Sequence, residues 1–238
     1  MTRLSIIFPC YNESENIKKI LNRVEVMLSE RQDTEIILVD NGSTDSTSVI
    51  LSEILDTQQS SIIRTHRIEE NIGYGHGIME GVRIAKGEVI AWTHADLQTD
   101  PNDVLEAYDK FMLSINSGKF ILKGKRIGRP WLDNLFTTGM SAISTFFLRV
   151  HLSDVNAQPK MFHRSFLENL PNPPLDFSLD LYLLYQARTC GFDILEHSVL
   201  FGQRIHGQAK GGGSLKGKWK LIKRTWNYIM ELRKRVMK

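Results

Sequence analysis

No run of about 18 consecutive apolar residues occurs in this chain, which excludes a transmembrane helix. Cysteine is scarce: Cys10 and Cys190 are the only two, with neither metal-site spacing nor a disulfide framework between them. A secretory pattern is missing as well, because Met1-Thr2-Arg3 leads at once into a short strand-like run. A cytoplasmic protein is the expectation. Neither an internal repeat nor a domain linker breaks the sequence. With 238 residues, of which 42% are hydrophobic and 24% charged, the chain is long enough to bury a substantial core as one elaborated α/β domain.

The body of the chain also lacks basic character. Residues 216–238 carry nine Lys/Arg against Glu231 alone, a balance of +8, so the net +3 leaves 3 − 8 = −5 for the remainder. A nucleic-acid partner matches this poorly, since the basic residues are confined to one tail. Within that tail Trp219, Ile222, Trp226, Ile229/Met230 and Val236 share one helical face, with Lys and Arg on the others. Such a helix suits the surface of an anionic membrane. Equally, it suits docking onto the body, with its charges merely solvated. Residues 1–215 are therefore read as the main domain and 216–238 as a basic amphipathic tail helix, peripheral on the cytoplasmic face of a membrane if the first alternative holds.

What is present is an alternation of strand and helix signals. Leu4–Phe8, Glu35–Val39, Ser61–Thr65, Glu88–Thr93 and Phe120–Lys123 read as strands. Between them lie helical patterns at about Glu15–Leu28 (stripe Ile17, Ile20, Leu21, Val24, Leu28), Ser43–Leu55, Gly77–Ala85 and Pro101–Ser117. Alternation of this kind predicts right-handed βαβ units and a mostly parallel twisted sheet flanked by helices. Further on, Trp131–Val150 and Leu179–Cys190 read as helices, the second ended by Gly191, and Val155–Phe162 and Asp193–Leu200 as strands. Gln208–Gly217, with three consecutive glycines, reads as a mobile loop.

Ligands of such sheets bind beyond the carboxyl ends of the strands. Three polar segments fall there: Pro9–Glu13, Asp40–Asn41 and His94–Gln98. His94, Asp96 and Gln98 alternate, so an extended backbone would point all three side chains the same way. Imidazole, carboxylate and amide could then hold a divalent cation against a phosphorylated ligand, or simply form a solvated turn. Asp100 as N-cap and Pro101 at the first position then open the next helix. Tyr11 offers a ring to stack on a flat ligand and Glu13 an acceptor for a sugar or base. Asn71-Ile72-Gly73-Tyr74-Gly75-His76-Gly77 is not a G-x-G-x-x-G fingerprint; it suits close approach of the backbone to a sugar or phosphate. Arg204 could pair with a diphosphate or be a surface arginine.

In combination and order, Ile7–Glu13, Val39–Asp45, Asn71–Gly75 and Ala95–Pro101 resemble the family 2 glycosyltransferases of GT-A (Rossmann-like) fold, in their dolichol-phosphate mannose synthase-like branch. The resemblance spans roughly residues 4–207. It implies that Pro9, Tyr11, Glu13, Asp40, Asn41, Gly75 and Asp96 line a nucleotide-sugar pocket. Asp96 and Gln98, with His94, would bind Mn²⁺ or Mg²⁺, and Arg204 would contact the diphosphate. It further implies inverting transfer from a UDP- or GDP-sugar to a lipid-phosphate or glycan acceptor. Asp180 would be the base for a hydroxyl acceptor, and structural if the acceptor is a phosphate.

Three departures stand out. His94 replaces the first Asp of the usual Asp-x-Asp, which points toward Mn²⁺ because imidazole suits Mg²⁺ poorly. Asn41 replaces an Asp, and Asp154–Lys160 replaces the stretch which that branch uses near its acceptor phosphate, leaving Arg126 and Arg129 as loose matches. A glycosyltransferase-fold protein with impaired catalysis, binding nucleotide-sugars as an accessory subunit, is the alternative. A nucleotidyltransferase would want a phosphate-cradling loop after the first strand, and Pro9–Glu13 is not one.

Overall fold

The structure is a computed structural model that describes residues 2–29, 31–57, 62–128, 131–202 and 215–236. Arg129, Arg204 and most of the triglycine loop lie outside the described residues. Seven strands form one sheet: β1 (Leu4–Cys10), β2 (Thr34–Asn41), β3 (Ile63–Ile68), β4 (Val89–Trp92), β5 (Phe120–Ile127), β6 (Lys160–His163) and β7 (Asp193–Leu200). Their order is β3-β2-β1-β4-β6-β5-β7. β1 pairs parallel with β2 and β4, β2 with β3, and β5 with β7, while β6 runs antiparallel to both β4 and β5. This is the mostly parallel α/β sheet that the alternation predicts.

Helices cover both faces: α1 (Ser14–Leu28), α2 (Thr47–Thr57), α3 (Tyr74–Ile84), α4 (Asp103–Ile115), α5 (Trp131–Leu148), α6 (Leu179–Thr189) and α7 (Leu215–Val236). Successive strand residues alternate between faces. Leu4, Ile6 and Phe8 therefore pack with Ile17, Ile20 and Val24 of α1 and Phe111 of α4. Ile7, Ile37 and Trp92 pack on the other face with Ile78 of α3, Leu183 of α6 and Ile229 of α7. The whole predicted α1 stripe is buried.

The differences from expectation have local causes. α4 starts at Asp103, two residues past Pro101, because Asp100 accepts from the Asn102 N–H (2.9 Å) and holds a turn there. The strand expected over 155–162 is confined to Lys160–His163. Ahead of it the chain folds beneath β5, where the Pro159 carbonyl accepts from Gly124 N–H (2.7 Å). A Cβ on Gly124 would lie 1.9 Å from the Gln158 carbonyl oxygen, so this close approach requires glycine. At the carboxyl end of the chain, α7 lies against the body. Tyr228, Ile229 and Leu232 are buried, and Trp226 meets Phe147 of α5 edge-on at 4.8 Å. Among the described residues the buried stripe is thus centred on Tyr228, Ile229 and Leu232 rather than on Trp226 and Met230.

Candidate active site

Two loops at the carboxyl ends of β1 and β2 are stitched together before any ligand is considered. Asn12, at φ 54°, donates its N–H to the Ser43 hydroxyl (3.0 Å), and its side-chain oxygen accepts from Thr44 N–H (2.8 Å). Glu13 N–H donates to the Thr47 hydroxyl (2.9 Å), and Asp45 accepts from Thr47 N–H (3.0 Å) to open α2. These bonds hold Tyr11 and Glu13 at the rim of a cleft of about 560 Å³.

Pro9, Tyr11, Glu13, Asn41, His94, Asp96, Gln98 and Asp180 line that cleft together. The backbone reaches it without staying extended: β4 ends at Trp92, and Leu97 is left-handed at φ 57°. Asp96 accepts from Gln98 N–H (3.1 Å), which closes the tight turn, while the Gln98 amide donates to the Gly202 carbonyl (3.3 Å). Burial lowers the His94 pKa from 6.5 despite the opposing charges of Asp96 and Asp180. The imidazole is therefore neutral at pH 7 and able to ligate. A neutral imidazole, a carboxylate and an amide oxygen fit a borderline divalent cation, with phosphate oxygens of a ligand to complete its shell. Among the described residues, the one trio of His, Asp and Glu groups within mutual ligating distance lies elsewhere: Asp103, Glu106 and His197, between α4 and β7.

Two of the candidate residues are not on the cleft surface. Asp40 is 2% exposed, and its carboxylate accepts from Ser43 N–H (2.9 Å) and from the Ser48 hydroxyl. Gly75 abuts the loop before α6 instead: a Cβ there would fall 2.3 Å from the Pro174 carbonyl oxygen. Gly73 and Gly75 thus let the backbone at 174–176 approach, and Gly77 makes room for the Asn41 side chain. His76 N–H donates to the Leu175 carbonyl (2.9 Å), locking that loop down.

The floor of the cleft is a buried polar network. Asp180, at the start of α6, accepts from Trp92 Nε1 (3.2 Å) and Gln158 Nε2 (3.0 Å), and Gln158 also contacts the Tyr74 hydroxyl (3.0 Å). Behind it stands the fully buried Lys160, with Nζ 3.7 Å from Asp180 Oδ1. Burial pushes the Lys160 ammonium down to about 8, against the pull of Asp180. Burial, then the charges of Asp180 and Asp96, raise the Tyr74 phenol well above 10. Sequence reasoning missed the far wall. Tyr74 stacks on Phe177 (centroids 4.7 Å), and Arg224 of α7 lies over Phe177 (4.7 Å) beside Asp176 (3.5 Å). No periodicity signals such a wall, because it joins three distant segments.

A mostly parallel α/β sheet with a polar, carboxylate-rich cleft at its strand ends places a ligand site where such folds hold one. Residues 5–170 match the family described as glycosyl transferase family 2. The chain belongs to that family and is a glycosyltransferase. It is 25% identical to an uncharacterized glycosyltransferase of Mycobacterium tuberculosis, over 95% of this chain and 97% of that one. To the polyprenol monophosphomannose synthase of Mycolicibacterium smegmatis it is 24% identical, over 89% and 82%. In fold it is similar to glucosyl-3-phosphoglycerate synthase from Mycobacterium tuberculosis, a structure in complex with Mn²⁺, UDP and phosphoglyceric acid. There the TM-score is 0.72 at 18% identity, covering 98% of this chain and 78% of the other. Among the described residues no helix is long and apolar enough to cross a membrane.

Proposed function

We propose that this protein transfers a sugar, with inversion, from a UDP- or GDP-sugar to a lipid-phosphate or glycan acceptor, with Mn²⁺ or Mg²⁺ as cofactor. The observation that carries the reading is the convergence of Tyr11, Glu13, Asn41, His94, Asp96 and Gln98 on one cleft from the ends of three separate strands, β1, β2 and β4. Tyr11 and Glu13 would hold the nucleoside, and Asp96, Gln98 and His94 the cation. When bound, that cation supplies charge neutralisation for the departing diphosphate. Arg204 would add a donor to the same phosphates. For a hydroxyl acceptor, Asp180 would take the proton through Oδ2, which keeps a lone pair beyond its Gln158 bond. Trp92, Gln158 and Lys160 would keep the carboxylate in place meanwhile. An anionic membrane surface is the proposed partner of α7, whose Lys223 and Lys234 are exposed beside Trp226.

Support for the cation comes from its use by a structural neighbour: glucosyl-3-phosphoglycerate synthase has been crystallised with UDP and either Mn²⁺ or Mg²⁺. The deciding experiment is a thermal-shift screen of UDP- and GDP-sugars with and without Mn²⁺, followed by turnover of the stabilising donor. A metal-dependent rise in Tm for one nucleotide series is expected. No shift with any donor would refute the nucleotide-sugar reading, and a shift without turnover would favour the accessory-subunit alternative.

A further inference from the structure

Two guanidinium groups line the described cleft, and they are held very differently. Arg126 is committed: its Nε donates to Asp154 Oδ1 (2.9 Å), its terminal nitrogen reaches the same carboxylate, and both side chains are about 85% buried, at 13% and 15% exposure. Arg224 is not. Among the described residues its one charged contact is Asp176 Oδ2 at 3.5 Å, outside good hydrogen-bond geometry, with the two side chains 33% and 40% exposed. The other Asp176 oxygen is occupied by Ser178 N–H (2.9 Å). Such a half-exposed pair is weak. Yet Arg224 is well placed, because its guanidinium rests on Phe177, Phe177 is stacked on Tyr74, and Tyr74 lies 6.0 Å from His94. α7 is pinned by buried Tyr228, Ile229 and Leu232, so the arginine is presented from a fixed element.

We propose that Arg224 is an anion-binding residue of the cleft and that it takes a phosphomonoester carried by the acceptor substrate. The assignment rests on the donor reading above and deepens it. Glu13, Asp96, Asp176 and Asp180 make the described cleft predominantly acidic, so an anionic acceptor needs a cation with donors to give. A guanidinium presents a five-donor fork that pairs bidentately with phosphate. Phosphate carries close to two charges at pH 7 and three acceptor oxygens, so it outcompetes the loosely held Asp176 carboxylate. The position favours acceptor over donor phosphate, since two rings, Phe177 and Tyr74, stand between Arg224 and His94. α7 is then part of the catalytic cleft as well as a basic surface helix.

The test uses the full chain with two probes: 3-phosphoglycerate in solution, and farnesyl phosphate in phosphatidylcholine vesicles. Affinities are measured for wild type, R224M, R224K and D176N, each also titrated with UDP and GDP in Mn²⁺. R224M should weaken the phosphomonoester at least tenfold, R224K less, and D176N should tighten it. Nucleotide–Mn²⁺ affinity should stay within about twofold of wild type. Binding of the soluble probe, the vesicle probe or both supports the proposal and distinguishes small-molecule from lipid acceptors. Unchanged affinity in R224M, no tightening in D176N, a matching loss of nucleotide affinity, or no wild-type binding of either probe would overturn it. Because D176N is expected to gain affinity, misfolding cannot mimic the result. Failure of wild type to bind nucleotide would instead count against the donor reading.

Discussion

Lys160 Nζ stands 3.7 Å from Asp180 Oδ1 with the two side chains 0% and 2% exposed, so a buried ion pair forms the floor of the cleft. Removing one member leaves the other buried without its counter-charge. Lys160→Met should therefore cost about 3 kcal/mol of stability, and Lys160→Met/Asp180→Asn should recover part of it, because the amide needs no counter-charge and still offers an acceptor. Denaturant melts of the three proteins check this. The pH dependence follows from the lowered ammonium pKa of about 8 against 10.5. Between those values the unfolded chain binds the extra proton, so stability from this group rises with pH. Wild type should gain on Lys160→Met from pH 8 to 10.5.

Asp180→Asn separates the two acceptor chemistries. If the carboxylate is a base, turnover with a hydroxyl acceptor should fall on the order of 100-fold or more. Turnover with a phosphate acceptor, already anionic, should fall far less. Equal losses with both would assign Asp180 a positioning role.

Asp96→Ala should lower donor turnover on the order of 100-fold and abolish its Mn²⁺ dependence. The carboxylate accepts from Gln98 N–H across a local turn, and Tm measured on the same variant separates loss of the metal from loss of the fold. Full activity with an unchanged Mn²⁺ titration would remove Asp96 from the metal site.

His94→Asp should shift preference from Mn²⁺ toward Mg²⁺, since oxygen replaces imidazole nitrogen. Burial holds the wild-type imidazole pKa below 6.5. Mn²⁺ affinity should consequently stay level from pH 8 to 6.5 and decline only below that, as the ring protonates. Titrations at several pH values read both effects.

Asp103→Asn should stabilise the protein at neutral pH. Burial, then the charge of Asp100, raises this carboxyl from 3.8 to about 6. The native state therefore holds the proton more tightly between those values, and stability falls as pH rises through them. Relief on the order of 1 kcal/mol at pH 7, discounted for partial exposure, should vanish below pH 3.8.

Much of this molecule is written locally. Apolar stripes place α1 and the parallel strands, since residues 3.6 or 2 apart share a face whatever lies beyond. The strand-end rule then puts Tyr11, Glu13, His94, Asp96 and Gln98 at one edge, and the structure brings them to one cleft. What the tertiary structure alone decided are contacts between distant segments. Asp40 turns inward to Ser48. Gly75 yields to the Pro174 carbonyl rather than to a ligand. Among the described residues the buried stripe of α7 centres on Tyr228, Ile229 and Leu232, and that seating carries Arg224 over Phe177. In the sequence Arg224 is one of nine basic residues in a tail. Helical period marks which residues share a face but not which surface that face will meet, because packing against α5 depends on side chains many residues away.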